Sequence, residues 1–249
     1  MGLICWPVPG KAKSKLICRA FEAGAPRSAK GAVFFGTEGV MKQFQAAQRG
    51  TDPWFYVDNS YFDKHRGIYF RVTKNALQVD PRGKTSDGSR FAKLGIEIKP
   101  WRENPTGKIL VIPQSDDFMK STLGRKGDWT RETVEKLRAW GVPDADIVVR
   151  PWQRDKTKAY TELRVDLDRA RLVVTWSSAS AITALLEGVP AISESGAAHA
   201  LTGSLTEDSV RRPAYPTVGE RLQFARVLAD NQMTLEEFST GVAWKWLHR

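Results

Sequence analysis

VVTWSSASAITALLEGVPAIS, residues Val173 to Ser193, decides how the rest of the chain is read. Leu172 to Thr175 is a run of apolar and β-branched residues that predicts a buried strand, and Ser177 and Ser178 end it with hydroxyls. Ser180 to Glu187 then predicts a helix with Ile182, Leu185 and Leu186 on its apolar face. Gly188 stops that helix, and Val189 to Ile192 opens another strand. Strand, turn, helix, strand is the repeating element of a doubly wound parallel sheet. The helix N-terminus of such a unit offers unpaired N–H groups and partial positive charge at the carboxyl edge of the sheet, where an anion such as a phosphate is the expected occupant. The plain alternative is an ordinary strand–helix unit with a polar turn.

The pattern extends outward. Lys108 to Ile112 predicts a buried strand, Trp129 to Trp140 a helix, Ile147 to Arg150 a strand and Thr161 to Ala170 a helix, which together make a Rossmann-like domain. Toward the N-terminus, Ala32 to Phe35 predicts a strand, Thr37 to Ala47 a helix with Val40, Met41 and Phe44 inward, and Trp54 to Val57 and Gly67 to Val72 two further strands. Pro81 to Ser89 reads as a mobile loop. KPWRENPTG, Lys99 to Gly107, has the two prolines and the glycine of an interdomain linker, so the expected division is residues 1–105 and 106–249. Thr217 with Glu220 and Thr234 with Glu237 spell two capping boxes, each opening a helix near the end of the chain. The second of these helices carries Leu235, Phe238, Val242 and Trp246 as its apolar stripe.

Composition is that of an ordinary globular protein: 249 residues, 41% hydrophobic and 27% charged. No apolar run approaches the roughly 20 residues that cross a bilayer. The start, MGLICWPVPGKAKSK, has too short an apolar stretch for a signal peptide, and Trp6 breaks the myristoylation pattern. A cytoplasmic protein without membrane attachment is expected. Cys5 and Cys18 are too few for a disulfide framework or a four-ligand zinc site, so both are expected as packed or idle thiols.

Charge is unevenly spread. Residues 1–105 contain 18 Lys and Arg against 9 Asp and Glu, whereas residues 106–249 contain 20 against 19. The N-terminal part is thereby expected to meet a polyanion. Lys11, Lys13, Lys15, Arg19, Arg27 and Lys30 form one basic group; Arg82, Lys84, Arg90, Lys93, Lys99 and Arg102 form another. On DNA such residues neutralise phosphates; the alternative is a solvated, solubilising surface. No zinc finger, basic zipper or RNA-recognition motif is present, so nothing supports sequence-specific binding. Gln114 and Ser115 follow one predicted strand and Arg150 ends another, which places all three at the ligand-binding edge of a parallel sheet. Arg150 with Lys156 suits neutralisation of a diphosphate; the alternative for Arg150 is an ion pair with Asp155 or Asp166.

ALLEGVPAI, Ala184 to Ile192, following the serine-rich turn, resembles the C-terminal nucleotide-sugar site of GT-B glycosyltransferases, especially small capsule-type and phage members. The resemblance implies an α/β fold of two Rossmann-like domains, the N-terminal one binding acceptor and the C-terminal one binding donor. It implies that Ser177, Ser178 and Ser180 take the donor diphosphate and Glu187 the ribose, with Gln114, Ser115, Arg150 and Lys156 completing the donor site. Serine in place of glycine in the turn departs from the commonest GT-B pattern. The implied enzyme is metal-independent, monomeric and without a cofactor, a nucleotide sugar such as UDP-glucose being its co-substrate. Asp166-Leu167-Asp168 spells the acidic pair that GT-A enzymes use for a metal, but helix periodicity turns Leu167 inward and both aspartates outward, so the pair reads as surface charge.

A GT-B acceptor domain should supply the catalytic base. Asp58, expected at the end of the strand Trp54 to Val57 and facing the cleft, is favoured over Asp63 and His65; the alternative is a plain Asp-Asn-Ser turn. Tyr61, Phe62, Tyr69 and Phe70 interleave with Lys64, Arg66, Arg71 and Lys74, a pattern that suits clamping a nucleic acid or a core with a charged rim. The resemblance also implies that the last helix braces the N-terminal domain, with Trp244 and Trp246 as anchors. The expected function is transfer of a sugar to a hydroxymethylated pyrimidine in phage DNA, in the host cytoplasm. Arg66, Arg71, Lys74, Arg82, Lys84, Arg90 and Lys93 are the expected DNA contacts. The alternatives are a transferase acting on a polysaccharide or small molecule, and a non-catalytic nucleic-acid-binding protein.

Overall fold

A computed structural model describes residues 2–62, 67–115, 118–122, 124–125, 127–150 and 162–249. In chain order its elements are β1 (Leu3–Trp6), α1 (Ala12–Gly24), β2 (Gly31–Phe35), α2 (Met41–Arg49), β3 (Trp54–Asn59), β4 (Tyr69–Lys74), α3 (Ser89–Leu94), β5 (Lys108–Ile112) and α4 (Trp129–Ala139). These are followed by β6 (Ile147–Val149), α5 (Leu163–Asp168), β7 (Ala170–Thr175), α6 (Ala179–Leu186), β8 (Ala191–Ser193), α7 (His199–Thr202) and α8 (Glu207–Arg211). The chain ends with α9 (Val218–Asp230), β9 (Gln232–Thr234), α10 (Leu235–Ser239) and α11 (Val242–Leu247). They fall into two units. One comprises residues 1–79, 86–94 and 226–249, and the other residues 80–85 and 95–225.

The first unit is built on a mixed sheet in the order β1-β2-β3-β4-β9, with β1, β2 and β3 parallel and β4 and β9 each antiparallel to the strand before it. Period-two alternation sorts its side chains to two faces. Val33, Phe55, Val57, Phe70 and Val72 meet Ile17 and Phe21 of α1, Phe238 of α10 and Ala243 of α11 on one face. Phe34, Trp54 and Tyr56 meet Phe44 of α2 on the other. The Phe55 ring lies 5.2 Å from both Phe21 and Trp244, so the C-terminal tryptophan is part of this core. Residues 226–249, which the sequence division at 105/106 assigns to the second segment, belong to this first unit because Met233 and Phe238 complete its apolar face. One predicted helix over Leu235 to Trp246 is two, separated at Gly241, whose φ is +80°.

The second unit is a parallel sheet in the order β6-β5-β7-β8. Ile109, Val111, Leu172, Val174 and Ile192 form its core with Trp129 and Leu137 of α4. Lys99 to Gly107 is not a free linker. The Lys99 amide donates to Leu186 O at 2.8 Å, the Arg102 amide to Gly188 O at 2.8 Å and the Trp101 indole to Pro216 O at 3.1 Å, which ties the segment to the end of α6 and to residue 216. Both predicted capping boxes are present, and Thr206 with Ser209 makes a third.

Two strand boundaries differ from the sequence reading. β3 continues to Asn59 because the ladder to β4 runs on through Asp58–Arg71 and Asn59–Phe70, so Asp58 lies within a strand and not in the following turn. β1 and α1 are not foreseen at all: LICW is short, and α1 hides its buried stripe of Ser14, Ile17, Cys18 and Phe21 among three cations, Lys13, Lys15 and Arg19.

Gly188 follows α6 with φ +79°, and the Val189 amide closes the helix on Ala184 O at 2.9 Å. A Cβ at this position would stand 1.9 Å from Pro100 O. Gly188→Ala is thus expected to cost well over ~1 kcal/mol, through both the left-handed backbone and the backbone collision. Urea unfolding should show a lower midpoint with an unchanged slope; an unchanged midpoint would mean that the 99–107 segment shifts freely.

Candidate functional site

The second sheet changes direction between β5 and β7: β6 lies on one side of β5, while β7 and β8 extend on the other. Loops leaving the carboxyl ends of such a strand pair diverge, and ligands of open parallel sheets bind in the crevice between them. The last rung here is held by the Thr175 hydroxyl, which donates to Ile112 O at 3.1 Å. Just beyond it, Gln114 Oε1 accepts both the Ser177 amide and the Ser177 hydroxyl, each at 3.1 Å. One side-chain oxygen thus fixes the two diverging loops against each other.

α6 starts immediately after this bridge. Ser178 is its N-cap: the hydroxyl accepts the Ser180 amide at 3.2 Å and donates to the Ser180 hydroxyl at 3.1 Å. Ser115 accepts the Phe118 amide on its hydroxyl at 3.2 Å. The structure therefore gathers Gln114, Ser115, Ser177, Ser178 and Ser180 at the carboxyl ends of β5 and β7 and the start of α6. These hydroxyls are already held by the protein, which fixes where they point.

Arg150 follows β6, and its amide donates to Val111 O at 2.9 Å. Its residue is 7% exposed, and its Nε donates to Asp166 at 2.7 Å, so the ion-pair alternative for Arg150 is the arrangement found. Lys156 lies outside the described residues. Glu187 sits at the opposite end of α6 from Ser178, about 12 Å away for an eight-residue helix. Buried there, its carboxylate meets Lys99 at 2.5 Å, Arg164 at 3.1 Å and Arg102 at 3.3 Å. A ribose contact was expected of Glu187; the structure instead gives it three cations from this unit. Leu167 is fully buried; Asp168 is exposed and pairs with Arg102, while Asp166 is partly buried and pairs with Arg150.

Two residues of this region escaped the sequence reading. Trp176 lies inside the quoted stretch between Thr175 and Ser177, edge-on to Trp129 at 6.4 Å, and the Arg125 guanidinium covers its ring at 4.6 Å. Arg125 in turn pairs with Glu132 of α4. Nothing in the local pattern signals Arg125, whereas Trp176 could have been found as the only aromatic between a buried strand and a serine turn.

In the first unit, Asp58 Oδ2 pairs with Arg71 directly across the ladder, and Asp58 Oδ1 accepts the Asn59 amide at 2.7 Å. Arg71 also lies over the Tyr61 ring at 5.1 Å. Burial pushes the Tyr56 phenol above its usual range, and the neighbouring Asp58 adds to this. Among the expected DNA contacts, Arg71 is thus paired with Asp58, Arg82 with Asp80 and Arg90 with Glu237. Arg66, with Asp63, Lys64 and His65, lies outside the described residues. Among the described residues no group of three or more His, Cys, Asp and Glu is placed to hold a metal ion, and no helix is long and apolar enough to cross a membrane.

The chain is similar in fold to two solved structures from Thermosulfurimonas dismutans. One is the KpsC beta Kdo 2,7 transferase, at 14% identity over 98% of this chain and 99% of that one, with a TM-score of 0.51. The other is the KpsC beta Kdo 2,4 transferase, at 14% identity over 91% of this chain and 90% of that one, with a TM-score of 0.50. At this identity the likeness is one of fold. No protein-family model and no curated protein sequence matches the chain.

Gln114→Ala removes the acceptor shared by the Ser177 amide and hydroxyl at a partly buried position. A loss of about 1–2 kcal/mol in unfolding free energy is expected, the scale for orphaning a buried donor. Chemical denaturation measures it, and a variant as stable as the parent would show that the two loops hold their places without the bridge.

Proposed function

We propose that the protein is a GT-B-type glycosyltransferase that moves a sugar from a nucleotide-activated donor to a hydroxyl of a saccharide acceptor. The observation that carries this reading is the serine turn, clamped by Gln114 at the direction change of a parallel sheet and leading into α6. The similarity in fold to two Kdo transferases over nearly the whole chain supports it. In this reading Ser177, Ser178 and Ser180 and the first amides of α6 receive the donor phosphates, and the helix end stabilises the negative charge left on the nucleotide as the anomeric bond breaks. Arg150, paired with Asp166, follows β6 near the same edge.

The acceptor hydroxyl loses its proton as its oxygen attacks the anomeric carbon. Asp58 is the carboxylate this reading assigns as general base in the acceptor-binding unit. Arg71 and the Asn59 amide occupy one site on each of its oxygens, and a carboxylate has about four, so an acceptor O–H retains a place to donate. A saccharide acceptor is preferred to DNA because the two similar structures are sugar transferases by name, and because Arg71, Arg82 and Arg90 already have carboxylate partners.

A panel of nucleotide sugars tested by thermal shift should contain one that stabilises the fold, by about 2.7 kcal/mol at a hundredfold excess over its dissociation constant. Ser178→Ala should weaken that ligand's effect. If no nucleotide or nucleotide sugar moves the melting temperature, the proposal fails.

With the donor so identified and an oligosaccharide acceptor in hand, Asp58→Asn should keep the donor-induced shift yet lose roughly 10²–10⁴-fold in turnover. Turnover is to be expressed per folded molecule, since Arg71 loses a counter-charge in this variant. Near-normal turnover would assign the base elsewhere and leave Asp58 as the partner of Arg71 alone.

A further inference from the structure

Cys5 and Cys18 are the only cysteines of the chain, and the fold brings them together. Alternation along β1 turns Leu3 and Cys5 toward the core shared with α1, while Trp6 joins the cluster on the opposite face. On α1, Cys18 belongs to the buried stripe with Ser14, Ile17 and Phe21. The Cys5 thiol lies 3.5 Å from the Cys18 carbonyl oxygen. The neighbouring Cys18, burial and the Glu22 carboxylate one turn along α1 together hold the Cys5 thiol above its usual range. The neighbouring Cys5 in turn lowers the Cys18 thiol. Cys5 is half-buried and Cys18 is 3% exposed, so a reagent from solvent meets Cys5 first.

We propose that Cys5 and Cys18 form a reversible oxidation site, closing to an intrachain disulfide between β1 and α1 when the protein meets a disulfide oxidant of the glutathione type. In the first exchange the Cys5 sulfur, having lost its proton to solvent, attacks oxidised glutathione. The glutathione S–S bond breaks, a mixed disulfide forms on Cys5 and one reduced glutathione leaves. In the second, the Cys18 thiolate attacks the Cys5 sulfur and expels the other glutathione. The pair loses two protons and two electrons, and one glutathione disulfide becomes two thiols. The first exchange is slow because little of Cys5 is thiolate; the second is intramolecular and fast, so the mixed disulfide does not accumulate.

The bond has a mechanical consequence. Among the described residues β1 is an edge strand of its sheet, with only β2 as a hydrogen-bonded neighbour. A covalent link to α1 fastens that strand to the core from its other side.

The test treats the folded, full-length chain with oxidised glutathione and follows intact mass, free thiol count and melting temperature. The expected product is a monomer lighter by two hydrogens, with no free thiol, a Cys5–Cys18 linkage on peptide mapping and a melting temperature several degrees higher. Dithiothreitol should reverse all of these. Cys18→Ser should instead retain one stable glutathione adduct on Cys5, because nothing remains to resolve it. A parent protein that keeps both thiols, accumulates glutathione adducts or links between molecules would overturn the proposal. Because these readouts on the parent protein need no variant, a failure of Cys18→Ser to fold leaves the test intact.

Discussion

The second unit depends on one constraint, the parallel pairing of β5 with β7. Ile109 to Ile112 and Leu172 to Thr175 are buried on both faces, so their backbone groups have no solvent to turn to and must pair with each other. Once they do, β6 and β8 have only the two outer edges available. The loops that leave β5 and β7 are then forced apart at the carboxyl end, where two chains diverge with unsatisfied groups. Gln114 meets that need with a single oxygen, and Ser178 meets the corresponding need of α6. The polar turn is therefore a consequence of the sheet order before it is anything else, and its suitability for an anion follows from the same geometry.

The other end of α6 shows the converse electrostatic problem. A helix C-terminus presents carbonyls and partial negative charge, and Glu187 adds a full charge to it in a buried place. Lys99, Arg102 and Arg164 supply compensation to the carboxylate, while Arg221, fully buried, donates from one nitrogen to both Leu185 O at 2.8 Å and Lys99 O at 2.9 Å. That guanidinium lies over the Trp101 ring, 4.0 Å from its centre. Three of these groups come from the proline-rich segment expected to be a linker. Its prolines and glycine mark a chain without regular structure, which is not the same as a chain without partners; the cations between the prolines were the sign that it is fastened.

What could be read from the sequence was what local periodicity encodes. β5, α4, β7 and α6 lie close to their predicted places because each carries an uninterrupted apolar pattern, and the Thr217 and Thr234 caps were legible because a capping box is a four-residue motif. The partition of the chain was not legible, since β9, α10 and α11 join the first sheet through Met233 and Phe238, contacts more than 150 residues from Phe70 and Phe55 along the chain. The site was half legible. Residues at strand ends, such as Gln114, Ser177 and Ser178, follow from topology. Pairings such as Arg150 with Asp166 or Glu187 with Lys99 depend on which side chains meet in space, and a charged residue alone does not say whether it awaits a ligand or already has a partner.

That distinction changes what the basic character of the chain means. The first unit contains 17 Lys and Arg against 9 Asp and Glu, and the second 21 against 19, so the excess follows the structural division as it did the sequence division. Counting alone would give the first unit a polyanion. Yet Arg71 and Arg90, the cations embedded in its polar interior, each answer a carboxylate, and their charge is neutralised where it is least screened. Part of the remaining excess sits on the exposed face of α1, at Lys13, Lys15 and Arg19, opposite the stripe that packs on the sheet. Charge in that position is cheap to maintain in water and specifies no geometry for a ligand. An anionic partner of the first unit would therefore be drawn by a diffuse field, and any selectivity has to come from groups fixed by the fold, as Asp58 and Arg71 are by their register across β3 and β4.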